Sequence, residues 1–373
     1  MHFAFFGLSL TSSWGNGHAT TYRGLLRGLR QRGHQIEFFE RDTDWYARHR
    51  DLPQPAQARL HLYRNWSDIR ATALATARTA DAVIVGSYFP DAIPLLDDLL
   101  GHTPARVCFY DLDTPITLEL LRRQACAYLR ADQIPALDLY LSFTGGPVLD
   151  ELHRTWQARQ VRTLYCACDE SAYRSAARAP RPPVALSFMG TFAPDRQSKI
   201  QRLLLAPARH LPRMSFHLAG SMFPQPQAWP ANLRYDPHLA PDQHAAFYAA
   251  SRFTLNLTRQ AMVEAGYSPS VRLFEAAAAA TAIISDPWPG LGQFFQPASE
   301  ILVADNTAAV VQLLLHTSPA AVAALGRAAQ QRVLEAHTSA HRAATLESYL
   351  EHPRLPAVTR DAAHLPARAA DII

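Results

Sequence analysis

The sequence predicts an α/β protein built of two doubly wound halves, each with a parallel sheet between two layers of helices. Its 373 residues exceed one ordinary core and fit two domains of roughly 150 to 200 residues. Short apolar segments alternate with amphipathic helical segments through both halves, as in parallel βα units. A linker at residues 166–183, which contains Pro180, Pro182 and Pro183, separates the two alternations.

The first half, residues 1–165, opens with an apolar strand and a Gly-rich loop. An amphipathic helix follows and ends before Gly33, because glycine tolerates the left-handed backbone of a helix C-terminus. Four more strand and helix pairs continue the alternation. The predicted strands are 2–8, 35–40, 81–86, 105–111 and 137–143, and the predicted helices are 19–32, 66–79, 91–100, 117–130 and 146–159.

The second half, residues 184–336, repeats the alternation. A further helix is predicted within residues 337–352, and the Pro/Ala/Arg-rich tail at 353–373 is expected to be mobile. The predicted strands of this half are 185–189, 214–219, 233–235, 253–257, 282–285 and 301–303, and its predicted helices are 197–210, 243–250, 271–280 and 307–315.

Composition narrows the class of protein. An apolar fraction of 48% indicates a folded chain, and a net charge of +4 gives no reason to expect nucleic acid as a partner. The four cysteines lack redox or zinc spacing, which favours reduced thiols in a cytoplasmic protein. The N-terminus shows no charged leader, and no apolar stretch reaches the ~18 residues that span a bilayer, although peripheral contact with a membrane stays compatible with the sequence.

The most informative stretch is residues 266–286, which predict a polar loop, a helix and a buried strand. Ser268 and Ser270 are good N-cap residues for the helix that the alanine run supports. Arg272 and Glu275 lie three residues apart and therefore share a face near an anion-attracting helix start. One interpretation is a nucleotide-sugar site, with Arg272 at the diphosphate and Glu275 at the ribose. The other is an exposed ion pair.

This stretch reads G-Y-S-P-S-V-R-L-F-E-A-A, followed by I-I-S-D. It resembles the donor-binding segment of GT-B glycosyltransferases, in particular the CgeB-like family, named for a spore-maturation protein, and more broadly the family-4 (group 1) type. In the family-4 type a glutamate of this helix holds the donor ribose, and Glu275 matches it. An earlier family glutamate falls on Tyr267, and alanines at 278–280 replace the usual cysteine-glycine pair.

The resemblance implies a GT-B fold, in which two Rossmann-like domains face a cleft. The nucleotide sugar would bind the second domain and the acceptor would bind the first. The helix within residues 337–352 would cross back to the first domain.

A glycine loop, Gly15-Asn16-Gly17, follows the first strand and precedes His18. Glycines let the backbone approach a ligand, but Thr20 stands where a dinucleotide fingerprint needs a third small residue. The loop resembles the glycine loop of GT-B enzymes. His18 would then be the base that deprotonates the acceptor hydroxyl. The alternatives are a helix cap or a contact with the product phosphate.

Asp111 and Asp113 follow a buried strand, at the edge where parallel sheets bind ligands. They would orient the acceptor or act as the base, and this stretch also resembles CgeB-like proteins. The alternative is a turn in which Asp113 or Thr114 caps the next helix.

Gly190 and Thr191 end the first strand of the second half, with Arg196 and Lys199 close behind. This arrangement resembles the donor-phosphate loop of GT-B enzymes, and the alternative is a solvated helix start. Arg259 ends another strand of that half. Together with Arg196 and Arg272 it would form a metal-free clamp on the diphosphate.

Three smaller expectations complete the site. Residues 235–240 would form the loop that runs alongside the nucleobase. Glu264 would be exposed. His337 and His341 would form a surface pair rather than a metal site.

The sequence thus predicts a metal-independent glycosyltransferase with a nucleotide-sugar co-substrate, no further cofactor and an acceptor of unknown class. A nucleotide-sugar epimerase of the same fold and a non-catalytic nucleotide-sugar-binding protein are the alternatives.

Overall fold

The computed structural model describes residues 1–173, 183–224 and 229–352. Most of the predicted linker, including Pro180 and Pro182, and the predicted mobile tail at 353–373 lie outside the described residues. Within them, two parallel sheets confirm the expected α/β organisation in two halves.

The first sheet contains seven parallel strands in the order β3-β2-β1-β4-β5-β6-β7. Its centre is buried on both faces, so its strands are almost continuously apolar. The strands are β1 (His2–Phe6), β2 (Gln35–Arg41), β3 (Arg59–Tyr63), β4 (Ala82–Gly86), β5 (Arg106–Asp111), β6 (Leu139–Ser142) and β7 (Val161–Thr163).

Sequence patterns missed β3 and β7, because both are short edge strands with charged residues and little apolar signal. The helix predicted at 117–130 ends earlier, and Gln124 adopts a positive φ of 54° just beyond it. The helices of this half are α1 (His18–Gln31), α2 (Asp44–Ala47), α3 (Trp66–Thr79), α4 (Ala92–Leu99), α5 (Thr114–Arg122), α6 (Pro147–Arg154) and α7 (Glu170–Tyr173), with a 3₁₀ turn at Ala131–Ala136.

The second sheet has six parallel strands in the order β10-β9-β8-β11-β12-β13. It therefore repeats the topology of the first sheet. The earliest strand of each sheet lies near the centre, the next two strands extend the sheet on one side, and the later strands extend it on the other side. Its strands are β8 (Val184–Met189), β9 (Phe216–Ala219), β10 (Leu233–Asp236), β11 (Ser251–Asn256), β12 (Ala282–Ser285) and β13 (Leu302–Val303).

The helix predicted at 197–210 is continuous but contains a π-helical turn at Gln201–Leu205. The remaining helices are α8 (Gln197–Ile200), α9 (Ala206–His210), α10 (Pro241–Ala249), α11 (Gln260–Ala265), α12 (Val271–Ala278), α13 (Leu291–Phe294), α14 (Thr307–His316), α15 (Pro319–Ala336) and α16 (Ser339–Glu351).

Helix α16 packs on α1 of the first half. Gly28 permits the approach, since a Cβ there would lie 2.9 Å from the Ala343 Cβ and from the Ser339 carbonyl oxygen. Ala343 and Leu346 of α16 are fully buried in the same apolar cluster as Leu26 of α1. The last helix thus belongs to the core of the first half.

In the ranges that the structure describes, no single helix is long and apolar enough to cross a bilayer. Helices α14 and α15 pass that length and composition criterion only as a pair, with a bend of 109° between them.

Candidate active site

A cleft of about 520 Å³ lies between the two halves. Each sheet has one topological switch point, where the strand order reverses. In the first sheet it lies between β1 and β4, and in the second sheet it lies between β8 and β11. The loops that leave these four strands line the cleft, through Leu8, Tyr88, Gly190 and Thr258. Such switch points are where open α/β sheets bind ligands. The winding of both sheets therefore selects this cleft as the candidate active site.

Contacts between the halves close the base of the cleft. The Gly145 amide donates to the Tyr267 carbonyl oxygen at 3.0 Å, and the Thr144 and Ser268 hydroxyls lie 2.9 Å apart. In a further contact, the Trp14 ring of the first half lies 4.4 Å from the ring of His238, a cleft residue of the second half. These contacts join the two halves directly across the cleft.

Two buried arginines dominate the wall that the second half contributes. Arg196 is 7% exposed and Arg272 is 9% exposed, and both guanidinium groups lie over the Phe188 ring, at 5.3 and 4.7 Å from its centroid. Within the described part of the chain, neither forms an ion pair with a carboxylate. Burial, reinforced by the charges of Arg272 and Arg259, lowers the pKa of Arg196 to about 9. This wall therefore carries two buried guanidinium groups without a direct ion pair, although the charges of Asp195, Asp286 and Glu275 act on them from a greater distance.

Main-chain oxygens hold the two guanidinium groups in place. Arg272 donates to the Met189 carbonyl oxygen and Arg196 donates to the Thr191 carbonyl oxygen. The Nε of Arg196 is buried and has no hydrogen-bond partner among the described residues. A bound anion would satisfy both the charge and the free donor.

Glycines make this close packing possible. A Cβ on Gly190 would lie 2.6 Å from an Arg272 nitrogen, and a Cβ on Gly220 would overlap the Gly190 carbonyl oxygen. Gly220 also has a backbone φ of +150°, which residues with a Cβ rarely adopt. Thr191 lines the cleft beside Gly190.

The other two basic residues of this half differ from the sequence expectation. Lys199 does not line the cleft, because its ammonium group donates to Asp286 and to the Thr258 carbonyl oxygen, both at 2.7 Å. The expected phosphate contact of Lys199 is therefore wrong. Arg259 lines the cleft but pairs with Asp195, at 3.3 Å from Nε to Oδ2.

Ser268 and Ser270 line the cleft without capping α12. Ser270 occupies the N-cap position, but its hydroxyl donates to the Asn256 side-chain oxygen at 2.8 Å. Ser268 is buried and bonds Thr144 across the two halves. The capping expectation is wrong because both hydroxyls have tertiary partners, and the first amides of α12 remain unbonded by these side chains.

Glu275 lies one turn into α12, buried at 6% exposure and facing the cleft. The expectation of an exposed pair with Arg272 is wrong. Its Oε1 lies 3.6 Å from the His244 Nδ1, and its Oε2 accepts from the Tyr248 hydroxyl at 3.4 Å. Burial opposes ionisation, but His244, Tyr173 and the Arg272 charge together lower the pKa of Glu275.

The glycine loop of the first half forms the opposite wall. Gly15 has a φ of +68°, and Asn16 accepts from the Ala19 amide at 3.1 Å, so that Asn16 rather than His18 caps α1. His18 lines the cleft at 9% exposure, and its Nδ1 is buried without a hydrogen-bond partner in the described ranges. A Cβ on Gly17 would meet no described atom within 4 Å.

Asp113 is the carboxylate that faces this histidine. Its Oδ2 lies 3.9 Å from the His18 Nε2, and its side chain does not cap α5. Tyr88 completes the arrangement with its ring edge against His18, at 5.3 Å between centroids. Tyr88 adopts a positive φ of 63°, an unusual conformation for a bulky residue that occurs most often at functional sites.

Asp111 turns away from the cleft and is fully buried. It accepts from the Tyr140 hydroxyl at 2.5 Å and from the Thr117 hydroxyl at 2.7 Å. Burial raises its pKa to about 6, although these hydrogen bonds oppose the shift. The expectation that Asp111 meets the acceptor does not hold, because its oxygens already have partners beneath the cleft wall.

Several cleft residues were not predicted from the sequence, and three of them lie beside the candidate catalytic and donor groups. His244 and Tyr248 of α10 line the cleft beside Glu275, and Tyr88 follows β4. A histidine and a tyrosine four residues apart share a helix face, which is the one local signal that connects the first two. Nothing in the sequence distinguishes Tyr88.

Outside the cleft, Glu264 is exposed as expected. His337 is half-buried, with its ring 4.9 Å from the Phe274 ring, and burial, reinforced by the Arg342 charge, lowers its pKa to about 3. Across the described ranges, no group of three or more His, Cys, Asp or Glu side chains is arranged to hold a metal ion.

A family model described as "Glycosyl transferase-like" matches residues 196–348, which contain both buried arginines and Glu275. No curated protein matches the sequence.

Solved glycosyltransferase structures share the fold over nearly the whole chain. Sucrose-phosphate synthase from Thermosynechococcus elongatus has a TM-score of 0.67 at 14% identity, covering 94% of this chain and 98% of that one. An α-glucosyltransferase in complex with UDP-glucose and DNA has a TM-score of 0.71 at 14% identity, with the same coverage of 94% and 98%. The Anabaena protein HepE, in complex with UDP and glucose, has a TM-score of 0.66 at 10% identity and coverage of 94% and 99%. The chain has the two-domain, Rossmann-like GT-B fold.

Proposed function

We propose that this protein is a glycosyltransferase that moves a sugar from a nucleotide-diphosphate sugar to an acceptor hydroxyl in the cleft. The observation that carries the proposal is the pair of buried arginines, Arg196 and Arg272, neither of which forms an ion pair with a carboxylate in the described structure. Burying an unpaired cation is costly, so such a wall is expected to bind an anion. A diphosphate supplies that anion, and α12 directs its N-terminus toward the same space.

The remaining donor contacts follow from the same wall. Glu275, held ionised beside His244, accepts hydrogen bonds from the ribose hydroxyls. The backbone at Gly190 and Thr191 approaches the phosphates, and the chain at His238 and Leu239 passes the nucleobase. These roles follow the resemblance to the family-4 and CgeB-like glycosyltransferases and the "Glycosyl transferase-like" family model.

The reaction takes place between the two walls. The oxygen of the acceptor hydroxyl attacks the anomeric carbon, a new carbon–oxygen bond forms, and the bond from that carbon to the diphosphate breaks. The electron pair of the broken bond stays on the diphosphate oxygen, where Arg196 and Arg272 stabilise the negative charge. His18 takes the hydroxyl proton, and Asp113 stabilises the resulting imidazolium from 3.9 Å.

We further propose that the transfer needs no divalent metal. The arginines already provide positive charge at the leaving group, which is the task of the metal in other glycosyltransferases. Asp111 and Asp113 have the spacing of a metal-binding D-x-D pair. Asp111, however, is committed to Tyr140 and Thr117 and lies outside the cleft lining.

Thermal unfolding of the full chain with UDP-, GDP- and dTDP-glucose tests donor binding. A donor at 100 times its Kd adds about 2.7 kcal/mol to the free energy of unfolding. Release of nucleoside diphosphate on adding candidate acceptors, with and without EDTA, then tests transfer. Full turnover in EDTA is expected, and activity that returns only with Mn²⁺ would overturn metal independence.

Three other results of the same experiment contradict the proposal. Release of an epimerised sugar without acceptor identifies an epimerase. Donor binding without turnover on any acceptor identifies a binding protein. Absence of a shift with every nucleotide sugar, in a chain whose circular dichroism shows the folded state, removes the donor site.

A further inference from the structure

The acceptor side of the cleft has a composition unlike that of the donor side. Its described lining contains a single carboxylate, Asp113, and a single titratable base, His18, and it contains no arginine or lysine. The remaining polar groups on this wall are hydroxyls, amides and one thiol. Its lining residues are Leu8, Ser13, Gly15, Asn16, Gly17, His18, Thr20, Thr21, Tyr46, Tyr88, Leu112, Asp113, Phe143 and Cys166.

Arginines do lie behind this wall, but carboxylates hold them there. Arg23 forms two bonds with Asp51, at 2.7 and 2.9 Å, and Asp51 also accepts from the Ser13 amide and hydroxyl at 2.9 and 3.0 Å. Arg50 forms an ion pair with Asp42. A phosphate on this wall would face the Asp113 carboxylate and would find neither of these guanidinium groups free.

Aromatic rings continue from this wall to the outside of the molecule. Tyr46 lines the cleft, and Trp45, next to it on α2, is 51% exposed. The Trp45 ring lies 6.1 Å from the His49 ring, which stacks on Trp14 at 4.0 Å and 10°. We name Trp45, His49 and Trp14 the aromatic rim. Its exposed member is a large aromatic face, and its other end reaches the cleft lining, since the Trp14 ring lies 4.4 Å from the His238 ring.

We infer that the acceptor is an uncharged saccharide of two or more rings. Its reacting ring lies between Tyr88 and Tyr46, where Asp113 and His18 receive its hydroxyls, and its next ring lies against Trp45. A neutral polyhydroxyl ring matches a wall of hydroxyls, amides and aromatic faces. This inference rests on the proposed function, because it names the substrate of the same cleft.

A matched acceptor panel tests the charge of the acceptor. Neutral mono-, di- and trisaccharides and the corresponding sugar 6-phosphates are offered with the best donor from the thermal screen. We expect transfer to neutral saccharides with kcat/KM at least tenfold above that of their phosphates. A preference for the phosphates, or a bound donor with no transfer to any neutral saccharide, would overturn the inference.

The variant Trp45→Ala tests the length of the acceptor. KM for a trisaccharide should rise about tenfold, while KM for a monosaccharide and the donor-induced thermal shift stay unchanged. Leu315→Ala is the control, because Leu315 is similarly exposed, at 48%, on α14 of the second half. Equal trisaccharide kinetics in Trp45→Ala and the wild type would contradict a role for the aromatic rim.

The donor-induced shift separates the two proposals. A chain that binds no nucleotide sugar invalidates the glycosyltransferase proposal itself. A chain that binds the donor and transfers only to charged or single-ring acceptors invalidates the acceptor inference alone.

Discussion

The second-domain wall of the cleft buries two arginines without carboxylate partners in the described structure, whereas Arg23 and Arg50 behind the first-domain wall are fully paired. The first arrangement leaves two buried guanidinium groups without a direct ion pair, and the Nε of Arg196 has no hydrogen-bond partner among the described residues. The second is electrostatically complete by itself and presents hydroxyls, rings and one His–Asp pair. The two walls, built on the same fold, therefore differ in where arginines are paired: behind the first-domain wall they have carboxylate partners, and on the second-domain wall Arg196 and Arg272 have none within ion-pair distance.

The largest expected effect is on kcat and concerns His18, on the first-domain wall of the cleft. His18→Ala should lower kcat by roughly 10²- to 10⁴-fold, the usual contribution of a general base, while the donor Kd stays within twofold. Steady-state kinetics and calorimetry measure the two quantities. His102→Ala, an exposed histidine of the same half, is the control. If donor affinity fell in parallel with kcat, His18 would belong to the anion-binding function instead.

The next prediction concerns the anion-binding wall. Arg196→Met should weaken donor binding by about 2 to 5 kcal/mol, because a buried charge partner of the diphosphate is lost. The same change should raise the melting temperature of the ligand-free chain, since it removes a buried charge whose pKa is lowered to about 9. Calorimetry and thermal unfolding report both effects.

Arg209→Met, an exposed arginine of the same half, controls for the lost charge. A ligand-free Arg196→Met chain that melts below the wild type would show that Arg196 stabilises the fold rather than awaiting a ligand.

The third prediction concerns Asp111, which is buried beneath the first-domain wall of the cleft. Its pKa of about 6 lies above the ordinary value of 3.8, so its proton stabilises the folded state below pH 4. That stability is lost as pH rises through 6, by roughly 3 kcal/mol at most. Asp111→Asn should therefore remove one component of the fall in unfolding free energy between pH 4 and pH 7. Urea titrations across this range measure it, and identical pH profiles for both proteins would contradict the assignment.

The smallest effect is expected at Glu275. Glu275→Gln keeps the shape but removes the charge, and donor binding should weaken by about 1 to 3 kcal/mol with kcat little changed. Glu335→Gln, on an exposed face of α15, is the control for calorimetry. Unchanged donor affinity in a folded Glu275→Gln chain would take Glu275 out of the donor site and leave it as the partner of His244.

Local sequence was sufficient to predict the elements that have a strong apolar signal. The buried strands at 253–257 and 282–285 were predicted to within two residues of β11 and β12. Weak elements were missed, since β3 and β7 are short, lie away from the sheet centre and offer little contrast between apolar and polar positions.

Local sequence patterns were enough to predict the two α/β alternations and the residues near strand ends and helix starts, including His18, Asp113, Arg196, Arg272 and Glu275. Only the tertiary structure decided which charges are free. Lys199 is neutralised by Asp286, 87 positions away, and Asp111 turns inward although Asp113, two residues on, faces the cleft. Periodicity is a property of neighbouring residues, whereas the partner of a charge is chosen by the packing of segments that the sequence keeps far apart.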